Sequence, residues 1–551
     1  MLNWNTIILF VESEKCICTH TPRTFFSTYS RFLNLRGEIN MRVFVFGVDG
    51  LTFRVLNPMI EQGLLLNFQR VRDGGAQGVL KSTIPPLTPP AWMSISTGLS
   101  PAKHGVYDFW DFERTESGLR PHLLTHRKGG KAIWNLLSDF GKQVIVANVP
   151  MTYPPEPVNG IMLSGYMTPS MKADVTYPTS FKDELLQIVP AYQIDLNPAT
   201  SAGQIGDSLA ETLKMTRERI AMLRLLLDKQ WDFFFIVFTG ADRIQHLCWD
   251  QIMALHPQAV AYYQMLDEAL GMVLGSLNDE DMLMIVSDHG FQGARRKFYI
   301  NEYLRRQGLL QMKKGSNHYK TELVGFVKEL IRSLKLQRLA LLLQRQLYRS
   351  GVFTTTTEHH AIETPDVDWT KTRAWIPSSS LAVANCVDIF LADSLTEEEI
   401  STLTNALRNI HDPDTGQPLA VEIHREDAFG IGPFAPRERH LILLSGENIT
   451  IQVKPGPRTL WNTWDITDGI HHPDGVLYLY GANVMSGATI APSHVYDVVP
   501  TVLSYLGLPL PHELDGRIIS EAFEQSLPIK VATQGDSIAM QKLKKLAVQE
   551  G

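Results

Sequence analysis

The sequence predicts an α/β fold built on a doubly wound, mostly parallel β-sheet flanked by helices, with a smaller α+β lobe inserted into it. Four apolar runs, VFVFGV, QVIVANV, DFFFIVF and DMLMIV, are rich in β-branched and aromatic residues, as strands buried on both faces are. Segments with apolar residues at helical spacing, 203–229 and 260–277, lie between them. Strands that alternate with helices indicate a parallel sheet.

The chain of 551 residues is long for one compact domain, and its pattern divides it into five segments. Residues 1–40 are irregular and precede Met41 and a clean strand, so we interpret them as a leader from an over-extended reading frame. A disordered arm or a weak targeting segment is the alternative. The other segments are the main α/β core at 41–300, an insertion at 301–460, a return to the core at 461–530 and a polar tail at 531–551.

The insertion has two parts. Residues 313–349 carry many Lys and Arg residues, with leucines in helical phase, which favours a helical segment packed on the core. A basic face that contacts anionic lipid is the alternative. The stretch 374–443 contains strands and one helix, for which Ser394 is the predicted N-cap with Glu397 three residues later. This pattern predicts a small α+β lobe, with a turn at 412–418.

Composition excludes several classes of partner and location. The net charge of −7 offers no counter-charge to a polyanion, so we expect no nucleic acid polymer as a partner. No apolar run approaches the roughly 20 residues that cross a bilayer, so we expect no transmembrane anchor. The four cysteines form no CxxC pair and indicate neither a disulfide framework nor a thiolate zinc site. A reducing cytoplasm is therefore the expected location.

Acidic side chains stand at the ends of three predicted strands, where ligands collect in parallel sheets. Asp49 ends the first strand, Asp242 follows another with His246 four residues later, and Asp288 and His289 follow the last. One acidic strand end is commonly a cap or a turn residue, but three together favour a site. Carboxylate oxygens and imidazole nitrogens suit zinc, manganese or iron better than calcium.

A further imidazole, His471 in DGIHHPDG, brings the donor set to six. Six protein ligands are too many for one tetrahedral zinc, whereas three on each of two ions leave both with an open position. We therefore expect two divalent metal ions, zinc in the first place, with manganese or iron as alternatives. The neighbouring His472 is the rival of His471 as a ligand.

Thr88 stands in a proline-rich turn, PPLTPP, which precedes AWMSISTG, a predicted short helix. Prolines on both sides fix its backbone and withhold amide donors. A threonine hydroxyl is a poor nucleophile at neutral pH, but coordination to a metal can lower its pKa enough to supply an alkoxide. The sequence thus offers a nucleophile as well as ligands, although a purely structural turn is the alternative.

In chain order, the Asp-Gly after the first strand, the proline-flanked Thr88, D-x3-H, S-D-H-G and the G-x-H at 469–471 resemble the alkaline phosphatase superfamily. The match is strongest with its type I phosphodiesterase and nucleotide pyrophosphatase family, and it covers roughly 41–300 and 460–520. The resemblance implies an alkaline-phosphatase-like fold and a metal-dependent hydrolysis of small phosphate esters through a phospho-threonine intermediate. The ligand sets that it implies are Asp242, His246 and His471 for one metal, and Asp49, Asp288 and His289 for the other, with Thr88 between them.

Two departures from the family pattern concern the substrate. The pyrophosphatase branch usually carries Asn three residues after its nucleophile, where this chain has Ala91, and this puts nucleotide specificity in doubt. No arginine adjoins Thr88, as one does in alkaline phosphatases proper, and this favours diesters over monoesters. A phosphomutase or phosphotransferase of the same superfamily, or a metal-binding protein without catalysis, is the alternative.

Several charged residues are candidates for contact with a second phosphate or a carboxylate on the substrate. Each of them would otherwise be a solvated surface charge. The segment REDAFGIGPF at 425–434 is a candidate cover over the site. The candidate contact residues are Arg120, His122, Arg127, Arg295 and Arg296.

Overall fold

The structure is a computed structural model that describes residues 41–115, 118–196, 205–313, 367–376, 385–436, 439–453 and 459–531. The predictions for the leader at 1–40, for nearly all of the basic segment at 313–349 and for the tail from 532 onward lie outside these residues. Among the described residues, no helix is both long and apolar enough to span a bilayer.

The described residues form a ten-stranded sheet at the centre of the α/β core. Its strands are β1 (Val43–Val48), β2 (Ala76–Lys81), β5 (Val144–Val149), β6 (Gly160–Ser164), β7 (Thr176–Tyr177), β8 (Phe233–Phe238), β9 (Met282–Val286), β17 (Asp474–Gly481), β18 (Ala488–Thr489) and β19 (Ser493–His494). In space they run in the order β18-β2-β17-β9-β1-β8-β5-β6-β7, and β19 also pairs with β2.

The middle of this sheet is parallel. Strand β1 lies between β8 and β9 and pairs with both in parallel, and β5 pairs in parallel with β8 and β6. Strand β17 closes the other side by pairing antiparallel with β9 and β2. Every residue of β1, β5, β8 and β9 is buried, as their unbroken apolar sequences predict. The predicted doubly wound, mostly parallel α/β fold is confirmed.

Helices share the apolar core of this sheet. They are α1 (Phe53–Glu61), α2 (Leu66–Gly74), α6 (Phe181–Ile188), α7 (Ile205–Leu227), α8 (Gly240–Met253) and α9 (Pro257–Ser276). Further helices are α3 (Thr88–Thr97), α4 (Pro101–His104), α5 (Ile133–Asp139) and α12 (Val498–Tyr505), while α10 (Ile300–Arg306) packs with the strands of the insertion. Helix α3 lies unusually close to β1, because a Cβ atom on Gly47 would come within 2.7 Å of the Trp92 ring. This close approach brings the predicted nucleophile to the end of the first strand.

Two smaller sheets follow the core. In the first, β10 (Gly290–Tyr299) pairs antiparallel with β16 (Trp461–His472) and in parallel with β15 (Asn448–Gln452). The second is antiparallel and has the order β11-β12-β14-β13; its strands are β11 (Ala374–Trp375), β12 (Cys386–Leu391), β13 (Ala420–Arg425) and β14 (Arg439–Ser445). Helix α11 (Glu397–Arg408) completes this α+β unit, which we call the cap lobe. A separate hairpin joins β3 (Trp110–Thr115) to β4 (Gly118–Leu123).

The predicted start of helix α11 is wrong by two residues. The N-cap is Thr396, whose side chain accepts a hydrogen bond from the Glu399 amide at 3.2 Å while the Glu399 carboxylate accepts one from the Thr396 amide at 2.9 Å. Leu395 and Ile400, on either side of this box, are both buried in the core of the cap lobe. Such a hydrophobic staple fixes the helix start at Thr396 rather than at Ser394.

Candidate active site

The Asp-Gly turn after β1 forms the floor of the site. Asp49 donates its backbone N–H to Phe238 O at 3.0 Å, and Asp242 donates its own to Asp49 O at 3.1 Å. Gly50 has φ +71° and donates its N–H to the Asp288 carboxylate at 3.0 Å. A Cβ atom on Gly50 would come within 2.6 Å of the Phe291 ring. The turn therefore needs glycine both for its backbone angle and for space.

Three of the predicted ligands meet on one side of the site. Helix α8 begins two residues after β8, so Asp242 and His246 lie one turn apart on the same face, with 3.3 Å between Asp242 Oδ1 and His246 Nε2. His471 Nε2 lies 3.1 Å from the same Asp242 oxygen and 3.0 Å from His246 Nε2. We call these three residues the Asp242 group.

Backbone carbonyls orient both imidazoles of the Asp242 group. His246 Nδ1 lies 2.8 Å from Gly469 O, and His471 Nδ1 lies 2.9 Å from Pro86 O. A carbonyl can only accept, so each Nδ1 carries the proton and donates it. Each Nε2 then keeps a lone pair that faces Asp242, which is the tautomer a metal ligand requires.

The other three predicted ligands meet next to them. His289 Nε2 lies 3.6 Å from Asp49 Oδ1 and 3.2 Å from Asp288 Oδ2, and all three side chains are buried. We call them the Asp49 group. The His289 and His471 rings stack with 3.7 Å between their centroids, and His289 offers a ligand atom within 4.8 Å of Asp242 and His471 as well. The two groups are therefore contiguous.

Thr88 lies at the Asp49 group. Its hydroxyl oxygen is 3.5 Å from His289 Nε2, and the residue is 5% exposed. Helix α3 begins at Thr88 itself, whereas the sequence placed the helix just behind it. Pro89 and Pro90 have no N–H, and Ala91 donates its own to Leu87 O at 3.1 Å. In the first turn of α3, the backbone N–H that can face an anion is therefore that of Thr88.

The charges of the site are poorly balanced by the protein alone. Burial, followed by the neighbouring carboxylates, raises the pKa of Asp49 well above its usual value, and burial foremost raises the pKa of Asp288 in the same way. Burial alone would also raise the pKa of Asp242, but its contacts with His246 and His471 outweigh this effect and lower it. Burial lowers the pKa values of His289 and His471. The negative charge of the carboxylates in the two groups is therefore not fully offset by the protein.

We expect the Asp288→Asn substitution to stabilise the metal-free protein, and to do so more strongly as the pH rises. The folded pKa of Asp288 lies above its unfolded value, so the folded state loses stability as the pH increases from about 4 through that folded pKa. An asparagine carries no charge to be buried. Thermal unfolding of chelator-treated protein between pH 5 and 8 measures this difference.

Asp281→Asn is the matched control for that experiment. Asp281 is equally buried, but its carboxylate accepts a hydrogen bond from Arg42 Nε at 3.0 Å. Its substitution should lower the unfolding temperature, because it removes one partner of an ion pair. A metal-free Asp288→Asn protein that unfolds at a lower temperature than the parent at pH 8 would contradict the raised pKa of Asp288.

The other predicted contact residues have partners away from the two groups. Arg295 pairs with Asp250 at 3.6 Å, Arg296 pairs with the Asp412 and Asp414 carboxylates of the cap lobe, and Arg127 pairs with Glu156 at 2.8 Å. His122 is exposed on β4, and the side chain of Arg120 lies outside the described residues. His472 lies beyond the groups, with its Nδ1 accepting a hydrogen bond from the Asp474 amide at 3.1 Å.

The segment 425–434 packs over the turn that follows the Thr88 helix. Phe434 donates its N–H to Ala102 O at 2.9 Å, and its carbonyl accepts a hydrogen bond from the Tyr107 hydroxyl at 2.7 Å. Phe429 of the same segment shares an apolar cluster with Leu87, the residue before Thr88. The cap lobe thus packs against the loop that carries Thr88.

Two residues of the site were not predicted from the sequence. Trp92 donates its indole N–H to Asp49 Oδ2 at 3.2 Å. Arg243 pairs with Asp242 Oδ2 at 3.5 Å and with Asp195 Oδ2 at 3.0 Å. The signal for Arg243 was its position directly after a predicted ligand in DRIQH, but its second partner comes from a distant loop.

The chain is similar to known proteins in sequence and in fold. The family model of type I phosphodiesterase / nucleotide pyrophosphatase matches residues 43–347, more than half of the chain. A comparison with curated proteins found no match. The crystal structure of phosphonoacetate hydrolase from Sinorhizobium meliloti 1021, in complex with phosphonoformate, aligns with a TM-score of 0.51 at 15% identity, covering 84% of this chain and 94% of that chain.

A murine structure also aligns with the chain. Ectonucleotide pyrophosphatase / phosphodiesterase 5 has a TM-score of 0.46 at 12% identity, covering 88% of this chain and 100% of that chain. Because the sequence identity is only 15%, the similarity to phosphonoacetate hydrolase shows the fold alone, which is alkaline-phosphatase-like. The family match makes the chain a metal-dependent phosphoester hydrolase, and the structure contains groups of residues that could hold metal ions. The chain belongs to the type I phosphodiesterase / nucleotide pyrophosphatase family.

Proposed function

We propose that this hydrolase cleaves small phosphate esters, diesters in particular, with Thr88 as the nucleophile and with two divalent metal ions, zinc in the first place. The observation that carries the proposal is the position of the Thr88 hydroxyl, 3.5 Å from His289 Nε2, where the Asp49 group meets the Asp242 group. The six proposed ligand side chains beside a buried hydroxyl favour a catalytic role of the Thr88 turn over a purely structural one.

The residues present fit two metal ions. Asp49 Oδ1 and Asp288 Oδ2 are buried without a hydrogen-bond partner, although each belongs to a carboxylate that burial strongly penalises. Each group offers three donors of the carboxylate and imidazole types that zinc binds. We therefore assign one ion to the Asp49 group and one to the Asp242 group. When bound, such ions lower the pKa of a hydroxyl and offset the negative charge of phosphate oxygens.

The protein's own residues orient the reaction. The Thr88 side chain is held at the first turn of α3, which the Trp92 indole anchors to Asp49 through its hydrogen bond. The N-terminus of this helix favours an anion, and the Thr88 amide faces that end. The burial of Thr88 and His289 excludes bulk water from the attacking oxygen.

The proposed reaction has two displacement steps. The Thr88 oxygen forms a bond to phosphorus while the bond to the leaving alcohol breaks, and that alcohol departs with the electron pair and takes up the proton that the Thr88 hydroxyl has lost. A water oxygen then attacks the same phosphorus, the bond to Thr88 breaks, and a proton from that water restores the Thr88 hydroxyl. For a diester, the intermediate is a threonine that carries the phosphoryl group and its remaining ester substituent.

Acid quenching during turnover of bis(4-nitrophenyl) phosphate tests this intermediate. We expect mass spectrometry to find a nitrophenyl-phosphoryl adduct on the peptide that contains Thr88. The same peptide from the Thr88→Ala protein should carry none. Full turnover in the parent without any adduct, under conditions where the second step is slowed by low pH, would contradict covalent catalysis by Thr88.

The competing assignment, a phosphotransferase, predicts phosphoryl transfer to a second alcohol. Adding a small alcohol to the reaction and analysing the products by ³¹P NMR distinguishes a hydrolase from a phosphotransferase. The hydrolase assignment predicts the released monoester as the main product in dilute alcohol. A phosphotransferase would yield a new diester instead.

A further inference from the structure

Arg243 is the basic side chain that lies against the proposed ligands. Its guanidinium pairs with Asp242 Oδ2 at 3.5 Å and with Asp195 Oδ2 at 3.0 Å. Across the described ranges, no other arginine or lysine forms an ion pair with any of the six proposed ligands. In the described part of the chain, Arg243 is therefore the basic side chain that forms an ion pair with a proposed ligand.

The position of the Arg243 guanidinium is fixed on several sides. It lies over the Tyr166 ring, 4.6 Å from the ring centroid, and the Phe109 ring meets Tyr166 edge-on at 5.6 Å. Asp195 is largely buried and holds one end of the guanidinium. Next to Tyr166, Met167 adopts φ +80°, a strained conformation for a side chain of this type. Such strain is typical of segments whose geometry serves a site.

Arg243 lies on the side of the Asp242 group that faces away from its imidazoles. Asp242 Oδ1 faces His246 and His471, whereas Oδ2 faces Arg243. Thr88 contacts the other group, through His289. In a displacement at phosphorus the leaving group departs opposite the attacking oxygen. The end of the substrate remote from Thr88 is therefore directed toward the Asp242 group and Arg243.

We propose that Arg243 binds a carboxylate carried by the leaving group of the substrate. This inference rests on the proposed function and names its substrate class. The side chain of Arg243 is 28% exposed, so a ligand can reach it. A guanidinium has five N–H donors in a planar fork that matches a carboxylate, and Asp242, Asp195 and the Tyr166 hydroxyl occupy only part of them. Because Asp195 already offsets part of the charge, a singly charged carboxylate suits this position better than a phosphate dianion.

Matched substrates test the assignment. Methyl 4-nitrophenyl phosphate and methyl 3-carboxy-4-nitrophenyl phosphate differ only in a carboxylate on the leaving group. We expect Arg243→Gln to lower kcat/KM for both esters, because Arg243 contacts Asp242. The loss should be about 10- to 100-fold larger for the carboxylated ester, because only that ester also loses a charge-assisted hydrogen bond. Arg295→Gln, which affects an ion pair outside the two groups, is the control and should change neither value.

Ligand binding gives a readout that does not depend on turnover. Isothermal titration of the metal-loaded protein with 3-phosphonopropionate and with its neutral amide compares a carboxylate with an uncharged group of the same shape. In the parent the acid should bind more tightly, and Arg243→Gln should abolish that difference. If neither ester were hydrolysed, the proposed function would fail, whereas an acid-specific loss of binding in Arg243→Gln would still support this inference.

Three outcomes would overturn the inference. Equal losses of kcat/KM for both esters would place Arg243 at the phosphoryl oxygens. Loss of metal from Arg243→Gln, measured by inductively coupled plasma mass spectrometry, would make it a residue that only supports Asp242. A selective loss for an ester with a phosphorylated leaving group, and none for the carboxylated one, would assign the position to phosphate.

Discussion

Replacing Thr88 with alanine is expected to lower kcat for bis(4-nitrophenyl) phosphate by about 10⁴- to 10⁶-fold, the range seen when a nucleophile is removed from a preorganised site. No other hydroxyl side chain is recorded within hydrogen-bond distance of His289 Nε2 in the described part of the chain. Water must then attack without the positioning that helix α3 gives to Thr88. Steady-state release of nitrophenolate measures the loss.

The controls for this substitution separate chemistry from folding. Thr88→Ser keeps a hydroxyl and should retain measurable turnover. Thr97→Ala removes another buried hydroxyl from the same helix, one that donates to Met93 O at 2.7 Å, and should leave kcat within about threefold. Metal content should match the parent in all three variants. A Thr88→Ala protein that keeps its metal and more than a tenth of its turnover would refute Thr88 as the nucleophile.

His471→Gln is expected to release one of the two proposed metal ions and to lower kcat/KM by more than about 100-fold, since changes to outer-shell partners alone cost 10- to 100-fold. His471 is 3% exposed, and its Nε2 lies 3.1 Å from Asp242 Oδ1. Its removal takes away one of three donors from the Asp242 group. Metal analysis after dialysis, together with steady-state kinetics, measures both effects.

The neighbouring histidine provides the comparison. Because side chains alternate along β16, His472 points away from His471, and its Nε2 lies 3.9 Å from Glu447. His472→Gln should keep both metal ions and turn over within about threefold of the parent. If His471→Gln kept two ions and His472→Gln lost one, the metal ligand would be His472 rather than His471.

Much of the fold was predictable because it depends on local patterns. The apolar runs of β1, β5, β8 and β9 have the composition of strands buried on both faces, and their ends mark one edge of the sheet. The spacing of Asp242 and His246 was informative for the same reason, since a helix that begins just after a strand places residues i and i+4 together.

What depended on packing between distant segments was not predictable. The sequence did not show that helix α3 would lie against Gly47, so the bond from Trp92 to Asp49 was missed. Arg243 could not be distinguished from a surface charge, because Asp195 and Tyr166 come from other loops. The start of helix α11 was misplaced because Leu395, rather than the first capping residue, decides where that helix begins.

X-ray diffraction from zinc-loaded crystals, recorded at the zinc absorption edge, would test the central claim most directly. We predict two anomalous peaks beside the Thr88 hydroxyl, one within about 2.0–2.2 Å of donor atoms of the Asp49 group and one within the same range of the Asp242 group. A single peak shared by all six side chains, or peaks bound by other residues, would contradict the two-metal assignment.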